Sequence, residues 1–232
     1  MRLLDGHISS FEVLARWTDE VYGAVSPEKF IPVAESAKLI KALTESIINQ
    51  VVYDLPSIQK RFPNAKLAIN ISPSLFKGNQ LLQLFMSRSE SIGHLFKCLD
   101  LEIVENEMLD KEEEAISQIE QLVQMGLSIT IDDYGKNYSS LARLVQMPFN
   151  RLKIDQYFVK DLATKKESRI VVKNIIALAN DLEISVTAEG IETPAQLDIL
   201  LELGCAYGQG WYFERDVPAS GIEKLPLNYI RA

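Results

Sequence analysis

Glu12, Asn70, Glu102, Asp132, Lys153 and Glu189 are the residues of this chain best suited to chemistry, and each falls in a separate stretch that reads as a strand. The clearest is Ser128-Ile-Thr-Ile-Asp-Asp-Tyr-Gly135. Side chains alternate faces along a strand, so Ser128, Thr130 and Asp132 share one face while Ile129, Ile131 and Asp133 share the other. If the bulky face packs on helices and the small face looks into a barrel, Asp132 emerges at the carboxyl end of its strand, where barrel enzymes keep their chemistry. The other five residues follow the same parity, each on the smaller or more polar face of its own strand. Together they form a ring of carboxylates, one amide and one ammonium at one mouth. Such a ring is costly unless cations hold it. Its oxygen-rich, imidazole-free donors suit Mg²⁺ or Mn²⁺ rather than zinc, and paired ions about 4 Å apart are a device for phosphodiester hydrolysis. Lys153 taken alone could instead be a Schiff-base nucleophile, but carboxylates without metal would keep it protonated.

The elements that must position this ring alternate short strand-like runs with amphipathic stretches, as in βα units around a parallel sheet. The strand-like runs are Ile8–Trp17, Lys66–Ile71, Leu99–Val104, Ser128–Gly135, Arg151–Ile154, Ser185–Glu189 and Tyr207–Phe213. Helical spacing covers Phe30–Ala37, Thr44–Ile58, a stretch opened by Ser72-Pro73 and running to Ser91, Glu112–Met125, Ser168–Leu182, and a helix started by Thr193-Pro194 and ended near Gly204. Gly126 supplies a left-handed cap. Asp100 lies at the wrong end of its strand and is left outside the ring, as are His7 and His94.

Length and composition bound the rest. The chain has 232 residues, 47% of them hydrophobic, which suits one α/β barrel domain over residues 1–232. A formal charge of −8 argues against binding DNA or an anionic membrane directly. Cys98 and Cys205 stand far apart in apolar contexts, as buried thiols of a reducing compartment do. No apolar run approaches the roughly 18 residues that a membrane-spanning helix needs. A cytoplasmic location is therefore expected, either free or as the cytoplasmic part of a membrane-anchored protein.

The ordered motifs resemble the EAL domain, a bacterial cyclic di-GMP phosphodiesterase module. They are Glu12-Val13-Leu14 followed by Ala15-Arg16-Trp17, Asn70-Ile-Ser-Pro73, Glu102-Ile-Val-Glu105, Asp132-Asp-Tyr-Gly135 with Tyr138-Ser-Ser-Leu141, Lys153-Ile-Asp155, Ala188-Glu-Gly-Ile-Glu192 and Gln209-Gly210. The resemblance implies a TIM-like (β/α)8 barrel and hydrolysis of cyclic di-GMP to linear pGpG with two Mg²⁺ or Mn²⁺ ions. It implies that Glu12, Asn70, Glu102 and Asp132 hold one ion, that Asp132, Asp133 and Glu189 serve the other, and that Lys153 orients or deprotonates the attacking water or forms a plain salt bridge. Arg16, Leu14 and Gln209 resemble substrate contacts, and Glu105 and Glu192 resemble residues that hold the loop after Asp133. A homodimer and a fused sensory or GGDEF domain are common in the family.

The chain departs from the family pattern in five places. Tyr134, Lys136 and Asn137 alter the loop after Asp133, and Val13 and Val104 replace the family's alanine and threonine. The family's proline after Gln209-Gly210 is displaced to Pro218. Met1 begins where the family has already laid down a first strand, so only seven strand-like runs are counted, and either the chain is truncated there or Arg2 to Asp5 supplies a remnant of that first strand. The altered loop and the missing strand keep a second expectation open, a receptor that binds cyclic di-GMP without cleaving it.

Overall fold

The structure is a computed structural model that describes residues 1–104, 112–135 and 146–229. Its centre is a sheet of seven parallel strands: β1 Ser10–Val13, β4 Lys66–Ile71, β5 Leu99–Val104, β6 Ser128–Tyr134, β7 Arg151–Ile154, β8 Ser185–Ala188 and β9 Tyr207–Gly208, each beside the next. Around it lie α1 Pro27–Ser36, α2 Ile40–Arg61, α3 Gln80–Met86, α4 Ser89–Ile92, α5 Glu112–Gln124, α6 Gln156–Lys160, α7 Lys166–Asp181 and α8 Pro194–Glu202. This is the expected βα alternation, a barrel-like fold short of one strand.

The physical reason is the two-faced composition of the strands. Leu99, Leu101, Ile103, Ile129 and Ile154 on the outer face are fully buried, and α2 sets Ile48 and Leu55, equally buried, into the same layer. Burying each such side chain contributes about 1.5–3 kcal/mol, an upper figure because unfolded chains already hide part of that surface. The inner face carries smaller or polar groups. Near the amino ends of the strands Lys66 donates to Ser128, and one layer higher the Thr130 hydroxyl lies 2.9 and 3.0 Å from the two carboxylate oxygens of Asp100. Asp100, left out of the ring as a stray strand-end residue, is thus a buried interior group with its own partner, only 3% exposed.

Local signals set the element ends. Thr193 and Gln196 form a reciprocal capping box at the start of α8, and Gly126 takes a left-handed conformation (φ 100°) after α5. The stretch expected to be helical from Ser72 to Ser91 is broken, because Gly78 and Asn79 both adopt positive φ and split a 3₁₀ segment from α3. The first expected strand is shortened as well. It stops at Val13, and Trp17 begins an antiparallel hairpin, β2 Trp17–Asp19 with β3 Gly23–Val25. Asp19 accepts from Val21 and Tyr22 N–H at its turn, and Trp17 packs edge-on against Phe30 of α1.

β1 and β9 are the two ends of the sheet order. Residues 1–3 run antiparallel along β9: Gly208 N–H donates to Met1 O at 2.8 Å, Leu3 N–H to Ala206 O at 3.0 Å, and Arg2 bridges Tyr207. The remnant strand expected over Arg2 to Asp5 is not formed: Arg2 makes an isolated bridge and residues 3–5 turn away, so the pairing is confined to Met1–Leu3.

Gly190 follows β8 with φ 66°, and a Cβ there would sit 2.6 Å from Cβ of Gln156. Gly190→Ala combines left-handed strain with that clash, and is expected to lower the unfolding free energy by about 2–3 kcal/mol. Urea unfolding of the variant beside wild type measures it, and a change under 1 kcal/mol would refute the strained turn.

Candidate active site

Parallel register fixes where the inner-face side chains stand. Asn70 is opposite Glu102, Glu102 opposite Thr130, and Lys153 opposite Thr187. Asn70, Glu102, Asp132, Lys153 and Glu189 therefore gather at the carboxyl ends of β4 to β8. Glu12 on β1 reaches the same point, pinned by Asn70, whose amide donates to it at 2.9 Å, and by Gln209, whose amide donates at 2.5 Å.

Lys153 stands at the centre and is 2% exposed. Its Nζ lies 2.8 Å from Glu189 Oε1, 3.1 Å from Glu102 Oε2, 3.3 Å from Asp132 Oδ2 and 3.7 Å from Glu12 Oε2. Burial disfavours its charged form, but Glu189, Glu102, Glu12 and Asp132 outweigh that and hold its pKa well above the ordinary lysine value. A lysine so protonated is no Schiff-base nucleophile. One ammonium cannot neutralise four carboxylates. Burial, with Glu12 and Asp132 as like charges, pushes Glu102 up to about 8 against the pull of Lys153, and burial beside Asp132 pushes Glu189 up to about 7. Glu12 is partly buried, yet the Lys153 charge and the Asn70 and Gln209 hydrogen bonds bring it below its usual range.

Asp133 departs from simple alternation. Strand parity sets it on the outer face with Ile131, but between Ile131 and Tyr134 the pairing of β6 with β7 shifts, and Asp133 adopts φ 56°. This is a bulge, which places two residues where one would fit and re-aims side chains. Asp tolerates the left-handed conformation better than most residues. As a result Asp132, Asp133 and Glu189 bring carboxylate oxygens within 4.8 Å of one another, while Tyr134 takes up the outer, buried position. Asp133 N–H donates to Asp132 Oδ1 at 2.8 Å.

These donors fit hard divalent cations. All are oxygens, they converge on one mouth, and they carry more negative charge than the single ammonium cancels. The fit rests on the raised Glu102 and Glu189 and on the Asp132–Asp133–Glu189 cluster.

The remaining expected residues divide. Leu14 and Arg16 line a cavity of about 750 Å³ together with Glu12 and Gln209, and Arg16 is paired with Asp216 at 2.5 Å. Gln209, expected to touch substrate, here donates to Glu12. Glu192 is exposed just before α8, where its N–H donates to the Gln196 side chain. Glu105 and residues 136–138 lie outside the described residues, so the expected loop contacts are left to the sequence. Sequence reasoning missed the Gln209–Glu12 bond and Asp216. Neither carries a local signal, since the partners are 197 and 200 positions apart.

Comparison with known proteins gives one consistent result. The family model for the EAL domain matches residues 1–216. The cyclic di-GMP phosphodiesterase NbdA of Pseudomonas aeruginosa is 32% identical over 230 residues, 99% of this chain and 29% of that protein. The cyclic di-GMP phosphodiesterase PdeR of Escherichia coli is 30% identical over 226 residues, 97% of this chain and 34% of that protein. This chain thus spans about a third or less of these two relatives. Among solved structures, the EAL enzyme Bd1971 in its cAMP- and cyclic di-GMP-bound form superposes with a TM-score of 0.89 at 32% identity, covering 97% of this chain and 62% of that one. The PaMucR phosphodiesterase in complex with c-di-GMP gives 0.80 at 32% identity, covering 91% and 86%.

The raised carboxylates have a consequence for the metal-free protein. Glu102 and Glu189 keep protons in the folded state that the unfolded chain, with a glutamate pKa of 4.5, has released. Their contribution to stability is complete below pH 4.5 and is lost as pH rises through about 7 and about 8. With chelator present, the melting temperature should therefore fall from pH 5 to pH 8, and Glu102→Gln/Glu189→Gln should flatten that slope. An equal slope in wild type and variant would contradict the assignment.

Proposed function

Since the chain belongs to the EAL domain family, we propose that it hydrolyses cyclic di-GMP to linear pGpG at the carboxylate ring around Lys153. The observation that carries this reading is the convergence of Glu12, Glu102, Asp132 and Glu189 on one buried ammonium that cannot balance them. Glu12, Asn70, Glu102 and Asp132 would hold one divalent ion, and Asp132, Asp133 and Glu189 a second, with Asp132 shared. Bound Mg²⁺ or Mn²⁺ would supply positive charge for the phosphoryl oxygens and acidify a water.

The chain's own side chains account for the rest. Asn70 and Gln209 donate to opposite oxygens of Glu12, so that carboxylate is fixed before any ligand arrives. Lys153, charged among the carboxylates when no ion is bound, is the donor best placed to orient the incoming water. Hydrolysis adds that water across one phosphodiester: its oxygen bonds to phosphorus, the bond to the 3′ oxygen breaks, and the departing oxygen takes a proton. Arg16 offers a planar guanidinium to a phosphate, and Leu14 an apolar wall beside it.

The same proposal includes one domain over residues 1–232, a homodimer, and a cytoplasmic module fused to a sensory or GGDEF domain. The partial coverage of the longer curated relatives supports the fusion. Among the described residues no helix is long and apolar enough to cross a membrane.

Chromatography of guanine dinucleotides after incubation with Mn²⁺ or Mg²⁺ tests the reading. Wild type is expected to yield pGpG, chelator to abolish turnover, and Glu12→Ala and Lys153→Ala each to lower kcat by about 10²-fold or more with folding retained. Saturable binding of intact cyclic di-GMP without turnover would replace the hydrolase with a receptor.

A further inference from the structure

Arg16 lines the cavity beside Glu12, and its guanidinium is already engaged. Nη1 donates to the Ala15 carbonyl at 3.0 Å and Nη2 donates to Asp216 Oδ2 at 2.5 Å. Asp216 holds one N–H of Nη2, the nitrogen shared by the end-on (Nη1/Nη2) and side-on (Nε/Nη2) faces of the fork, so a phosphate that takes two parallel hydrogen bonds on that face must displace it. Asp216 comes from the segment after β9 that also forms the cavity wall, and both side chains are about half exposed, at 54% and 56%. An ion pair so open to water is weak enough to be displaced. The neighbouring Arg215 is stacked over the Trp211 ring at 5.0 Å, which directs its own charge there.

We propose that Asp216 is a built-in competitor for Arg16, a carboxylate that occupies the guanidinium until a phosphate of the cyclic dinucleotide displaces it, and so sets the affinity of the site. This rests on the reading of Arg16 as a phosphate contact in the proposed hydrolase. Its physical content is simple. The ligand must exchange one anion for another, and the displaced carboxylate still stands near the bound phosphate.

Asp216→Asn keeps the shape and removes the charge. Its KM for cyclic di-GMP is expected to fall about 2- to 5-fold, the size of one unit charge a few ångströms away in a wet site, with the change confined to KM. The gain should shrink at about 0.5 M salt. Asp216→Glu should restore the wild-type value, and Asp216→Asn on an Arg16→Ala background should have no effect on KM. Should turnover be absent, calorimetric Kd values for wild type, the two Asp216 variants, Arg16→Ala and the double variant serve in place of KM. An unchanged or weakened affinity in Asp216→Asn overturns the competitor role and leaves the hydrolase reading intact. A loss of kcat in that variant assigns Asp216 to structure instead, and also overturns it. Wild type that neither binds nor cleaves cyclic di-GMP removes the proposed function and this inference together.

Discussion

Four carboxylates share one buried ammonium at the mouth of the sheet, and the rest of the structure serves to hold that imbalance in place. Like charges a few ångströms apart repel, and burial amplifies the repulsion by removing the water that would screen it. The protein answers with Lys153, with proton uptake at Glu102 and Glu189, and with amide donors on Glu12. None of these cancels the excess. A site so built suits positive charge, and the divalent cations of the proposed mechanism would offset the excess.

Holding such a cluster requires walls that do not yield. Strands β4 to β7 meet the helices through an outer row of buried leucine and isoleucine side chains, and close packing of that kind resists the outward movement that repulsion favours. The interior below the ring is graded. Lys66 with Ser128 and Asp100 with Thr130 pair polar groups in the lower layers, while the mouth keeps its charge.

Much of this was legible from alternation alone. The limits of β4, β5 and β7 match the expected runs, because an unbroken row of branched apolar residues on one face and small or polar ones on the other admits few alternatives. The inward parity of Asn70, Glu102, Asp132 and Lys153 follows from the same pattern. Alternation failed where the backbone leaves the regular strand. Asp133 was expected on the outer face, and a bulge with a left-handed residue turns it to join Asp132 and Glu189. Likewise Trp17 was assigned to the first strand, but the chain turns into a hairpin there. Contacts between segments some two hundred residues apart, Gln209 with Glu12 and Asp216 with Arg16, leave no trace in local sequence.

The acidity of the chain bears on how an anionic ligand could reach such a mouth at all. A protein with a net charge of −8 repels a phosphodiester at long range, and the cavity that shares Glu12 with the ring is lined by Glu214 and Asp216 as well as by Arg16 and Arg215. Attraction must therefore be local and conditional. Cations on the ring would reverse the sign of the potential within the cavity while leaving the outer surface acidic. A phosphate would then be drawn in only where metal is already bound, with Arg16 fixing its orientation as it arrives. Under this account occupancy of the ring precedes capture of the ligand, and the unbalanced carboxylates are what make the order necessary.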